Sequence, residues 1–257
     1  MSTRIYIAMH KRDDRVLKVT TDPIYIPIHC GKAIYEDEGK GYLPELGDDT
    51  GDNLSARNKN YCELTGMYWV WKNVYMAPDD IVGFNHYRRY FSEPDTDNMK
   101  PITEDGIKRL LSDKDFIVNG SGTEFTDANS EFSVYDGYKG CHCITDLDNA
   151  LEGTRIYFPD LYSEIERQVK HSAAMALCNI FITRKKFLDE YCNYLFTVLK
   201  YVDSKVNYDE EEHKGYGGRV LGFLGERLFR PWIIASGHTG VAAGCLNWEE
   251  YSGYIWE

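Results

Sequence analysis

The segment Ile81-Val-Gly-Phe-Asn-His-Tyr-Arg-Arg-Tyr-Phe91 constrains this chain most. It begins as an apolar, β-branched run and ends in a cationic and aromatic cluster, inside a protein of formal net charge -12. On an extended segment alternate residues share a face, so Val82, Phe84, His86 and Arg88 lie on one side and Asn85, Tyr87 and Arg89 on the other. The first set changes from apolar to cationic along its length. A sheet built this way presents positive charge at its carboxyl edge, where open α/β sheets take up ligands. An Arg-rich loop paired with surface carboxylates explains the same residues equally well.

The flanking segments extend the α/β pattern. Residues 4 to 10 and 24 to 29 read as strands, the second with a proline suited to a sheet edge. Each ends in a histidine, His10 and His29, and His29 is followed by Cys30-Gly31-Lys32. Residues 36 to 52, rich in Gly, Asp and Glu, read as a mobile loop. Residues 56 to 75 form a helix introduced by Asp52-Asn53-Leu54-Ser55, with Glu63 as the only charge between Asn60 and Trp71. An enclosed carboxylate needs a partner, and an arginine or lysine is the expected one. Residues 103 to 112 read as a helix and 115 to 119 as a strand, so βα alternation points to an α/β sheet. Residues 120 to 140 show no period and read as a functional or disordered loop.

In the second half, Asp146-Leu147-Asp148 precedes a short helix, and Tyr157 to Tyr162 leads into another. Residues 174 to 183 read as a strand containing Cys178-Asn179, residues 185 to 206 as a helix, 209 to 214 as a solvated charged loop, and 218 to 235 as a final helix. On that last helix Arg219, Phe223, Glu226 and Arg230 share a stripe, which makes a Glu226–Arg230 surface pair the plain structural reading.

The 257 residues suffice for one core. The division expected within this single domain is a ligand-binding half, 1–119, and a second half, 120–257. An N-terminus running straight into a strand reads as lacking a secretory signal, and no apolar run reaches the ~18 residues of a spanning helix. These features favour the cytoplasm. Seven cysteines without Cys-x-x-Cys spacing read as free thiols, and Cys141-His142-Cys143 is a weak metal signal read as structural. The acidic balance argues against nucleic acid as a partner. Neither a Gly-x-Gly-x-x-Gly nor a P-loop occurs. Arg57, Asn58 and Lys59, in the first turn of the 56 to 75 helix, would supply a phosphate site, with solvated charge the plainer reading of Lys59 alone.

Four runs carry a more specific resemblance: Gly51 to Asn73, Asn85-His-Tyr-Arg-Arg-Tyr-Phe91, Cys178-Asn-Ile-Phe-Ile182 and Gly222-Phe-Leu-Gly-Glu-Arg-Leu228. In order and over nearly the entire chain, they resemble the family called domain of unknown function 4422. That family is associated with capsular polysaccharide, exopolysaccharide and O-antigen synthesis and includes galactofuranosyltransferases. The resemblance implies a GT-A-like single α/β domain, with a mixed, mainly parallel sheet flanked by helices. It implies a hexosyltransferase that moves a sugar, galactofuranose among the candidates, from a UDP-sugar donor to a growing surface polysaccharide or lipid-linked glycan, with inversion. Peripheral association with the inner face of the membrane follows from such an acceptor. Arg57 stands where the family pattern has lysine, which leaves the donor contact there open.

On this reading Glu226 is the general base. The donor lies against His10, His29, Gly31, Arg57, Asn58, His86, Tyr87, Arg88 and His238, and the acceptor against Asn179, Arg219 and Arg227. A divalent metal, Mn or Mg, stays open. Where many GT-A enzymes place Asp-x-Asp this chain has Asn85-His86-Tyr87, so His86 could ligate a metal or, with Arg88, replace one. The literal triplets Asp95-Thr-Asp97 and Asp146-Leu-Asp148 read as a loop and a helix cap. A retaining transferase, a nucleotide-sugar hydrolase and a catalytically silent glycan-binding scaffold subunit are the competing readings.

Overall fold

A computed structural model describes residues 1–36, 39–93, 100–119, 133–173 and 175–247. Strands β1 (Thr3–Met9), β2 (Tyr25–His29), β3 (Ile81–His86), β4 (Arg89–Phe91), β5 (Phe116–Asn119), β6 (Phe181–Arg184), β7 (Gly240–Ala243) and β8 (Cys245–Asn247) form one sheet. Its main path is β2-β1-β3-β6-β5-β7, with β4 pairing β3 and β8. β1 is parallel to β2 and β3, β5 is parallel to β7, and β6 is antiparallel to both β3 and β5. Along this path every strand except β6 therefore points the same way. Both halves of the chain contribute to the one sheet.

Period-two alternation explains how the sheet is covered on both faces. Tyr6, Val82, Phe84, Phe116, Val118 and Phe181 pack to one side, while Ile5, Ile7, Ile81, Ile117 and Ile182 pack to the other. The thicker side holds α3 (Leu64–Asn73), α5 (Val134–Cys141), α6 (Ile144–Tyr157), α7 (Pro159–His171), α8 (Lys185–Asp203) and α9 (Val220–Ala235). The thinner side holds α1 (Val16–Val19) and α4 (Glu104–Leu110). No described helix is long and apolar enough to cross a membrane.

Several expectations are corrected. The 56 to 75 helix is broken: a 3-10 turn at Ser55–Arg57 and α2 (Asn58–Tyr61) precede α3, and Cys62, at φ 53° and ψ -135°, ends α2. None of the residues 52 to 55 caps it. Residues 39 to 52 are held by the fold, since Leu46 O accepts from His29 N and the buried Asp48 carboxylate accepts from Gly31 N at 2.8 Å and from Ser55 Oγ. Within 120 to 140, residues 133 onward enter α5 through a capping box of Ser133 and Asp136; residues 120 to 132 lie outside the described residues, as do Asp95-Thr-Asp97 and Ala174. Asp146-Leu147-Asp148 lies inside α6 rather than ahead of a helix.

Cys178 and Asn179 form a left-handed turn at φ 71° and 50°, and β6 starts only at Phe181. The 209 to 214 loop is not fully solvated, because His213 is buried against Asp146.

Candidate active site

Parallel β1, β2 and β3 end together, and antiparallel β6 begins beside them, so one edge of the sheet collects the ends of four strands. A cavity of about 620 Å3 opens there. His10 follows β1, Cys30 follows β2, and His86, Arg88 and Arg89 come from the end of β3 and its continuation. Asn58, Lys59, Cys62 and Glu63 enter from α2 and the break before α3, and Cys178 enters from the turn before β6. Tyr216 and Arg219 enter from the 3-10 turn Gly215–Arg219, Phe223, Glu226 and Arg227 from the start of α9, and His142 from the end of α5. Five cationic side chains thus face two carboxylates. An anion gains most from such a grouping where protein walls thin out the water.

The histidines report that field. Burial, then the neighbouring His10 and the Arg89, Arg88 and Arg219 guanidinium groups, pushes His86 down to about 3. His10 opens on to the cavity but is walled in elsewhere, and this enclosure, with Lys11, Arg88 and Arg219, lowers it to about 4. Both rings are neutral at pH 7 and able to hydrogen-bond an anion without adding charge. His86 Nδ1 is buried and makes no hydrogen bond among the described residues. Tyr87 lies beneath, fully buried, with the His10 ring edge-on at 5.3 Å and the Arg88 guanidinium 5.1 Å from its ring centre.

On the carboxylate side, Glu226 accepts from Cys178 N at 2.7 Å and from Arg227 Nη1 at 2.6 Å. The expected Glu226–Arg230 pair is absent: Arg230 is fully buried and donates to Gln168 Oε1 and Ser172 Oγ. Among the described residues Glu63 has no arginine or lysine within ion-pair distance; its Oε1 accepts from Asn179 Nδ2 at 2.7 Å. Burial raises the Glu63 proton affinity, the Asn179 hydrogen bond opposes this, and the charge of Glu226 adds to the rise.

Asn179 reaches Glu63 because Gly225 leaves room: a Cβ there would stand 2.6 Å from Asn179 Oδ1. Gly31, at φ 76°, likewise lets Asn58 approach, since a Cβ would stand 2.6 Å from Asn58 Cγ. Cys62, Cys178 and Asn179 are the non-glycine residues at positive φ among the described residues, and all three sit at this cavity or its floor. Such strain persists where surrounding structure enforces it, and it concentrates at functional sites.

The cavity wall therefore unites His10, Asn58, His86, Arg88, Arg219, Glu226 and Arg227 from the expected set, with Asn179 beneath it and Tyr87 behind it. It does not include His29, Gly31, Arg57 or His238. His29 packs edge-on against Tyr35, and Gly31 gives its N–H to Asp48. Arg57, in the 3-10 turn before α2, bonds Asp203 and covers the Tyr208 ring. His238 precedes β7 and lies at the amino edge of the sheet, where Nε2 is 2.9 Å from Glu190 Oε2. In place of the first turn of one long helix stands the four-residue α2, from which Asn58 and Lys59 still line the cavity.

The sequence reading gives Glu63 a structural role and assigns none to Arg89, Cys62 or Tyr216, yet all four line the cavity. Strict strand alternation puts Arg88 and Arg89 on opposite faces, whereas β3 stops at His86 and the chain turns, which brings both into the cavity.

The sequence reading leaves a divalent ion open at Asn85-His86-Tyr87, at the end of β3. The donors there do not fit one: Asn85 is buried on the sheet, Tyr87 is a buried phenol, and His86 lies among arginines. Among the described residues the group able to hold a metal is Cys143, Asp146 and His213, which lies elsewhere.

A mainly parallel sheet with one reversed strand along its main path, helices on both faces and a polar cavity at its carboxyl edge defines a GT-A-like fold. The chain belongs to the family described as domain of unknown function DUF4422, whose model matches residues 4–237. It is similar to the apo structure of the bifunctional glycosyltransferase WbbM, with a TM-score of 0.76 and 26% identity over 96% of this chain and 45% of that one. The chain thus spans less than half the length of that structure. No curated protein matches it.

Proposed function

We propose that this chain is a glycosyltransferase that binds a nucleoside diphosphate sugar in the carboxyl-edge cavity and passes the sugar to a glycan hydroxyl with inversion. The observation that carries this reading is the meeting of Lys59, Arg88, Arg89 and Arg219 with Glu226 in one cavity. Transfer forms a bond from the acceptor oxygen to the anomeric carbon and breaks the bond from that carbon to the diphosphate. Negative charge builds on the departing diphosphate, which the guanidinium groups and Lys59 neutralise in place. The acceptor proton goes to Glu226, whose carboxylate is oriented by the Cys178 N–H and the Arg227 guanidinium. His10 and His86, uncharged, donate or accept at the phosphate oxygens.

Glycosyl transfer in a GT-A-like neighbour supports the donor class, and the family resemblance makes UDP-galactofuranose the first donor to try and a surface polysaccharide or lipid-linked glycan the first acceptor. The direct experiment incubates the protein with a panel of UDP-sugars and glycan acceptors and follows UDP release together with product stereochemistry. Acceptor-dependent UDP release with an inverted product supports the reading. Release that ignores the acceptor would make the chain a hydrolase, and no release with any donor would leave a binding subunit.

A further inference from the structure

A second group of chemically competent side chains lies outside the cavity. Cys143 precedes α6, Asp146 lies in its first turn, and His213 arrives from the 3-10 turn Glu211–His213. One donor atom from each lies within 4.8 Å of the others. Asp146 and His213 are buried, and Cys143 is half-buried, which leaves a side of the group open to solvent. The three-residue spacing of Cys143 and Asp146 puts both on one side of the helix start.

His213 Nδ1 lies 3.0 Å from Asn207 O, so this nitrogen is the donor. Nε2 then faces Asp146 Oδ2 at 3.0 Å and Oδ1 at 3.2 Å. In a neutral ring with that tautomer, a lone pair would point at a carboxylate, so a positive species must lie between them. A proton satisfies two groups and has no use for the thiol. A soft divalent cation uses all three, and anchoring of Nδ1–H on a carbonyl is the arrangement that aims Nε2 at a metal.

We propose that Cys143, Asp146 and His213 bind a zinc-class divalent cation, with water in the fourth position. On binding, the thiol gives up its proton and the sulfur, imidazole nitrogen and carboxylate oxygen each donate a pair. The site ties the Glu211–His213 turn to the start of α6. The following turn, Gly215–Arg219, packs tightly on it, since a Cβ at Gly218 would stand 2.8 Å from His213 O. That turn carries Tyr216 and Arg219 into the cavity wall, and His142, beside Cys143, forms another part of it. The cation would therefore set two sides of the cavity rim without entering the chemistry. This inference holds whether or not the chain transfers sugar.

The test uses the full chain under reducing conditions, stripped by chelation and titrated with Co2+. The expected result is a thiolate-to-cobalt absorption band that saturates at a single equivalent, is erased by Zn2+, and accompanies a rise in melting temperature on zinc addition. Cys143→Ser, which keeps the Asp146–His213 pair, should lose the band and the zinc-induced rise while its metal-free melting temperature stays unchanged. Asp146→Asn is the second variant with the same expected loss of zinc response, should the first fail to fold. Cys141→Ser should retain everything. No band in the wild type, or a band that survives Cys143→Ser and vanishes in Cys141→Ser, overturns the proposal.

Discussion

His86 and His238 stand at opposite edges of the same sheet, and their neighbours differ in sign. At the amino edge, His238 has Glu190 at 2.9 Å and Asp115 at 3.9 Å and packs against Phe187 and Trp232. Carboxylates and aromatic rings there satisfy the imidazole within the fold. At the carboxyl edge, His86 is ringed by Arg88, Arg89 and Arg219 and keeps a buried nitrogen without a hydrogen bond among the described residues. Like charges gathered around a histidine make sense when a ligand supplies the missing anion. The contrast separates a histidine that completes structure from one held ready for a ligand, although in sequence both sit at strand boundaries.

The largest effect should come from the carboxylate of the cationic edge. Glu226→Gln should lower the transfer rate by about 10²- to 10⁴-fold, the range for a lost general base, with donor affinity within roughly twofold of wild type. Steady-state kinetics with a parallel binding titration checks this. A normal rate removes Glu226 from that role, and a comparable loss on Glu63→Gln instead would move the role to Glu63. Next, Arg219→Ala should weaken donor binding by about 10- to 100-fold, the scale of a charge-assisted contact. The control at the other edge, His238→Ala, should leave affinity unchanged, and equal losses in both would erase the distinction between edges.

Smaller effects follow from proton linkage, with opposite signs at two cavity residues. The proton affinity of Glu63 is raised in the folded state, so the folded chain holds more protons than the unfolded one above pH 4.5, and stability falls as pH rises through that window. Glu63→Gln should remove this fall and raise the melting temperature at neutral pH. His86 is lowered from 6.5 to about 3, so the unfolded chain binds more protons between these values, and stability falls as pH drops through them. His86→Asn should flatten that acid limb in denaturant titrations at several pH values. An unaltered limb would place His86 in contact with water rather than enclosed protein.

Much of the scaffold was legible because local pattern and tertiary role agree. The alternation in β1, β2 and β3, Pro27 on the edge strand β2, and the long stripes of α8 and α9 each reflect burial on a defined face. The parts that were not legible depend on distant residues. Glu63 announced its need for a partner, but that partner, Asn179, lies 116 positions away and reaches it only past Gly225. Nothing local marks Cys62 or Cys178 for positive φ, since left-handed geometry is expected of glycine or asparagine. His238 was misplaced because its edge depends on the parallel pairing of β7 with β5. α5, by contrast, carried a readable signal in Ser133-Val-Tyr-Asp136, a capping box that the aperiodic surroundings obscured.

The central claim is that the cationic edge binds a diphosphate, and calorimetric titration with UDP and with uridine tests it most directly. UDP should bind, uridine should bind at least ten times more weakly, and Arg88→Ala and Arg219→Ala should each shrink this gap while salt weakens UDP selectively. Equal affinity for the two ligands, or a preference for UDP indifferent to both arginines, would contradict it.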